Sequence, residues 1–183
     1  MRIGILTFHW ATNYGAVLQA FCLQEYLREQ GHKVDIINYK PKRFDLTLTQ
    51  FIKNPRRLRY LRKELIAKRK ESLLAPFREK YLNQTKRYYS TKEIQSANMD
   101  YDLLISGSDQ ILNPSFTICG ESIPTSAYYL SFGPKTAKRI GYAVSFGCVQ
   151  YPEQATIYAS EWINNFDAIG TRENTGFNIL QQL

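Results

Sequence analysis

The chain has 183 residues, of which 44% are hydrophobic and 14% aromatic, so it is long and apolar enough for one domain with its own core, and the composition argues against disorder. Its formal charge of +8 is local: residues 40–92 hold 17 Lys/Arg against 4 Asp/Glu, while the remainder is mildly acidic, so an anionic partner would meet that segment and not the body. Cys22, Cys119 and Cys148 lack disulfide or metal spacing, no secretory segment follows Arg2, and no apolar run nears the ~18 residues of a spanning helix, so a cytoplasmic protein is expected.

Residues 3–8 read as a buried strand. Ala16, Ala20, Leu23 and Leu27, widened by Val17 and Phe21, then form a helical stripe that Thr12 or Asn13 can cap and Gly31 can end. "KVDIINY" (33–39) is a second strand, and a right-handed crossover makes it parallel to the first. In the basic segment Asn54 and Pro55 resemble a cap and first turn. Leu58, Leu61 and Leu65 give a stripe there, ringed by Arg56, Arg57, Arg59, Arg62 and Lys63. Pro76 is expected to end or kink that helix, with 77–82 resuming it.

Three more strands follow at 101–106, 139–145 and 166–171, with a helix over 153–164 carrying Ile157, Tyr158 and Trp162. The last stripe, Phe177, Leu180 and Leu183, runs to the final residue without a cap, and the expectation is a fragment ending at a domain boundary. The order predicts an open, doubly wound, mostly parallel, Rossmann-like α/β sheet over 1–183 with a basic helical insertion at about 41–92.

Ligands of such sheets bind beyond the carboxyl ends of the strands. The first strand leads there into His9, Trp10, Asn13, Tyr14 and Gly15, and the second into Asn38, Tyr39 and Lys40. The later three lead into "SGSDQ" (106–110), "SFG" (145–147) and "TRE" (171–173). Asp109, between Ser108 and Gln110, can take a proton from a substrate hydroxyl or anchor a sugar's hydroxyl pair; an Asp here also caps a turn. His9 can act as an acid or an anion donor, or simply pack beside Trp10. Arg172 can clamp a carboxylate or phosphate, or pair with Glu173. Gly15 leaves room for a ligand at the first helical turn or for close packing on the sheet; no dinucleotide fingerprint or P-loop occurs. The basic segment is either a solvated face or a contact for an anionic membrane surface; its aromatics lack the spacing of a nucleic-acid platform, and no nucleic-acid partner is expected.

"NYGAVLQA" (13–20), "YDLLISGSDQILNP" (101–114), "RIGYAVSFG" (139–147) and "FDAIGTRENTG" (166–176), taken in order, resemble the amino-terminal half of the polysaccharide pyruvyl transferase family. The resemblance implies one lobe of a two-domain, GT-B-like enzyme whose second domain lies outside this chain. It implies transfer of pyruvate from phosphoenolpyruvate, a donor substrate and not a cofactor, to two hydroxyls of a polysaccharide or lipid-linked glycan. Asp109 would be the base or acceptor anchor and His9 a candidate acid, with Asn13, Tyr14, Gly15, Ser108, Gln110 and Arg172 lining the cleft and no metal. Most of the donor clamp would belong to the absent half, so this lobe is expected to fold without catalysing, its edge at 171–183 prone to pair with another copy. Two other classes stay open: a GT-B glycosyltransferase using a nucleotide-sugar, and a glycan-binding member without activity.

Overall fold

A computed structural model describes residues 1–45, 61–118, 121 and 123–183, with 61–64 described as backbone only. Five strands, β1 (Arg2–Leu6), β2 (Lys33–Ile36), β3 (Leu103–Asp109), β4 (Lys138–Val144) and β5 (Ala168–Thr171), form one sheet in the order β2-β1-β3-β4-β5. Every neighbouring pair is parallel, giving a Rossmann-like α/β sheet. From β1 the chain moves one way to β2, then back past β1 to β3, β4 and β5. The direction of winding therefore reverses between β1 and β3, where doubly wound sheets open a crevice at their carboxyl ends.

The helices are α1 (Tyr14–Glu29), α2 (Leu61–Tyr81), α3 (Thr91–Gln95), α4 (Pro114–Thr117), α5 (Glu153–Trp162) and α6 (Asn174–Leu180). Helix α1 starts where Asn13 Oδ1 accepts the Gly15 N–H at 2.9 Å, and it ends before Gly31, whose φ of 82° suits a residue without a side chain. On one face of the sheet Ile3, Ile5, Val34, Ile36, Leu82 and Ile105 pack with Phe21, Leu23 and Leu27. The opposite face carries the larger core, in which Phe8, Tyr39, Leu104, Tyr128, Val144 and Phe146 are buried together with Ala159 of α5 and Ile179 of α6. Each large side chain so buried contributes roughly 1.5–3 kcal/mol.

The basic insertion departs from the sequence expectation. Helix α2 runs through Pro76 as a single element. Proline removes one backbone hydrogen bond, but the flanking turns are held from outside. Phe77 and Tyr81 pack on Phe21, with ring centroids 5.5 and 5.8 Å away. Gln24, fully buried in α1, donates to the Tyr81 carbonyl at 2.9 Å and accepts the Asn83 N–H at 2.8 Å. Leu65, expected on the buried stripe, is 64% exposed, because the helix docks through its carboxyl-terminal half, where Leu74, Arg78 and the following Leu82 are buried. The expected start at Asn54 and Pro55, Leu58, and Arg56, Arg57 and Arg59 lie outside the described residues, as do the side chains of Leu61, Arg62 and Lys63.

Two strands differ in length from their apolar runs. After Ile36 the chain bonds to 83–88 instead of to β1 alone: Tyr88 N–H donates to Asn38 O at 2.8 Å and Lys40 N–H to Tyr88 O at 3.0 Å. Strand β3 continues through its polar tail, so Asp109 is the last residue of a strand, in register with Val144.

Candidate functional site

The ends of β1 and β3 are tied together from above by one side chain. Gln19 donates to Thr7 Oγ1 at 3.0 Å and accepts the backbone N–H of Ser108, also at 3.0 Å. Just before Ser108, Gly107 has φ 125°, and a Cβ there would stand 2.1 Å from the Tyr142 carbonyl oxygen, so only glycine lets β3 pass β4 here.

Asp109 is half-buried. Its carbonyl accepts the N–H groups of Ile111 (2.7 Å) and Ser145 (2.9 Å), which fixes the backbone. One carboxylate oxygen accepts the Gln110 N–H at 2.8 Å and so caps the local turn. Among the described residues that is the carboxylate's single hydrogen bond, which leaves the second oxygen for a ligand. Gln110 is exposed and bonds Asn113 at 3.1 Å. Across β4, Arg172 pairs with Glu173 at 3.4 Å, a long and part-exposed contact of little energetic weight. Gln110 and Arg172 line one open cavity of about 330 Å³ with Ser145, Gly147, Cys148 and Glu173. Ser108 faces a different cavity, of about 320 Å³, beside Gln19, Cys22 and Tyr142.

Asn13, Tyr14 and Gly15 stand exposed at the start of α1. A Cβ on Gly15 would meet only Asn13 Oδ1, at 3.4 Å, so the first helical turn is open to an approaching group.

His9 is 1% exposed. Its Nδ1 lies 3.2 Å from the Thr7 carbonyl oxygen, and its Nε2 lies 3.3 Å from Asn38 Oδ1. Burial, with Arg78 and Lys40 close by, lowers its pKa from 6.5 to about 4. The ring is therefore neutral near pH 7. Both ring nitrogens face oxygen atoms, and the neutral ring, with one N–H, donates to one of them at a time. His9 thus joins the end of β1 to the chain leaving β2, and it lines a third cavity, of about 380 Å³, with Trp10, Asn38, Lys40, Arg78 and Arg87.

The candidate residues all sit on the carboxyl edge, but they are distributed. Gln110 and Arg172 share a cavity, His9 lies in another, and the Asn13–Gly15 turn stands open between strand ends. Sequence reading missed Gln19, Glu71, Arg78 and Arg87. The available signal was a glutamine on the apolar side of α1 and an acid and a base seven residues apart on α2. Several insertion cations are engaged internally: Arg87 binds both Asp45 oxygens at 2.7 and 2.8 Å, Lys40 lies 3.3 Å from Asp45, and Arg78 pairs with Glu71. Among the described residues no three His, Cys, Asp or Glu side chains are grouped to hold a metal ion, and no helix is long and apolar enough to cross a membrane.

Compared with known proteins, residues 13–183 match the family model for polysaccharide pyruvyl transferase. No curated protein and no solved structure gives a match.

Proposed function

The chain belongs to the polysaccharide pyruvyl transferase family, and from that premise we propose that it forms one lobe of an enzyme moving pyruvate from phosphoenolpyruvate to two hydroxyls of a sugar. One observation carries the proposal: the family match runs from the cap of α1 to the last residue and includes the whole β3 end with Asp109. The donor's carbon–carbon double bond takes a proton at the methylene carbon, one sugar hydroxyl adds to the neighbouring carbon, and the second displaces phosphate. Of the two hydroxyl protons released, one balances the new methyl group and the other leaves with phosphate.

In this reading Asp109 accepts the first hydroxyl's proton through its unused oxygen. The donor is a carboxylate and a phosphate together, so its arrival raises the proton affinity of a neighbouring imidazole. His9 is assigned to protonating the methylene carbon on that basis. Arg172, released from Glu173, holds the freed phosphate beside Gln110 in their own cavity, and Asn13, Tyr14 and Gly15 form the near wall. A second, GT-B-like lobe supplies the remaining cations and closes the cleft against water. The basic segment, at the same edge, is assigned to contact with an anionic membrane surface carrying a lipid-linked acceptor, which places the enzyme on the inner face of the cell membrane.

The test supplies the two-lobed protein with phosphoenolpyruvate and a panel of glycans and follows phosphate release together with labelled pyruvate in the product. Both signals are expected only with a competent acceptor. Protection of the fold by nucleotide-sugars, with no phosphate released from phosphoenolpyruvate, would replace this reading with glycosyl transfer. Glycan binding without turnover of either donor would replace it with a binding role.

A further inference from the structure

Helix α2 and the ends of β1 and β2 enclose two cavities, of about 490 and 380 Å³, whose walls share Trp10, Lys40 and Glu71. Two atoms in this region are buried without a hydrogen-bond partner among the described residues: Nη1 of Arg78, a residue 6% exposed, and Oε2 of Glu71. The two side chains already pair through Nη2 and Oε1. What remains is one unused donor beside one unused acceptor. Buried groups of this kind are costly unless something binds them, and here the two residues that carry them line a cleft large enough for a small ligand.

The pairing selects the ligand. An anion answers the guanidinium but meets the negative charge of Glu71, and a cation has the reverse difficulty. A hydroxyl donates and accepts, so two adjacent hydroxyls satisfy both atoms at once. The surroundings extend that chemistry. Asn38 and Gln84 add planar amides, while Trp10 and Phe44, with centroids 5.0 Å apart, provide an apolar wall. Acids and bases are nearly balanced: Lys40, Arg78 and Arg87 stand against Glu71 and Glu79 in the smaller cavity.

We propose that this cleft is a subsite for a neutral sugar residue, its adjacent hydroxyls bound by Arg78 Nη1 and Glu71 Oε2 and its C–H face set against Trp10. That the sugar is part of the acceptor glycan rests on the function proposed above; that a sugar binds there does not.

Trp10 provides a reporter at the site, while Trp162 of α5 packs on Tyr129. Methyl glycosides of glucose, galactose and mannose are titrated into the chain and tryptophan emission is followed. At least one glycoside is expected to give a saturating change in the millimolar range. Glu71→Gln is expected to weaken it at least ~10-fold by altering the acceptor. Ala75→Phe fills the cleft from α2 without removing a side-chain hydrogen bond, and is expected to weaken it as much while leaving thermal unfolding unchanged. Flat titrations with all three glycosides, equal affinity in Ala75→Phe, or saturation by inorganic phosphate or pyruvate in their place would each overturn the proposal. No donor is present in these titrations, so sugar binding would stand even if phosphoenolpyruvate proved not to be turned over.

Discussion

The Oε1 of Gln19 accepts the backbone N–H of Ser108 at 3.0 Å, so a side chain of α1 sets the position of the β3 end that carries Asp109. The same amide holds Thr7. Gln19→Ala loses both bonds, and at ~1 kcal/mol each the expected loss of stability is about 2 kcal/mol. Urea unfolding measures it; an unchanged midpoint would mean the two bonds are replaced by water at no cost.

Asp109→Asn keeps the shape of the β3 end and removes the proton acceptor. Turnover in the two-lobed protein is expected to fall ~10²-fold or more, with the unfolding midpoint unmoved. Wild-type turnover by the variant would take Asp109 out of the chemistry and leave it as a turn cap.

His9 gives the fold a pH dependence of known sign. Its pKa is about 4 in the folded chain and 6.5 without burial. The unfolded chain binds the proton first as pH falls. The stabilisation from neutral His9 is therefore complete above about pH 6.5 and lost between there and about pH 4, on the order of 3 kcal/mol in all. His9→Gln should flatten that part of the stability curve, as read from denaturant midpoints across the range. A variant curve parallel to wild type would assign the dependence to other groups.

Arg139 staples the chain that returns to β4. Its guanidinium donates to the carbonyls of Leu130 (2.9 Å), Ala137 (2.8 Å), Phe132 (3.0 Å) and Pro134 (2.9 Å). Arg139→Met strands four acceptors around a residue, Leu130, held at φ 57°. A loss on the order of 3 kcal/mol is expected, with 130–137 becoming the first segment to exchange its amide hydrogens. Uniform exchange across the lobe would contradict the staple.

The sheet was legible because buried parallel strands are continuous apolar runs and crossovers have one hand. The Asn13 cap and the Gly31 stop follow from side-chain chemistry within one turn. The tail of β3 was not legible, since "SGSD" has no strand pattern of its own; pairing with β4 extends it. At Pro76 the local rule ends or kinks a helix; the helix does not end there, because Phe21 and Gln24 on another helix hold its next turn. The Arg78–Glu71 pair was hidden in a run of charges that reads as solvated, and only the docking of α2 turns that part of the run inward. At the carboxyl edge, residue types were readable strand by strand, but their division among separate cavities depends on packing no local pattern encodes.

The two margins of the sheet are not alike. Residues 84–88 bridge to the chain of β2 at Ile36 and Tyr39, which occupies the groups an incoming strand would need on that side. Among the described residues β5 pairs only with β4. Were two copies to pair through β5 about a two-fold axis, the contact would use the same margin of each and close as a pair instead of propagating into a fibre.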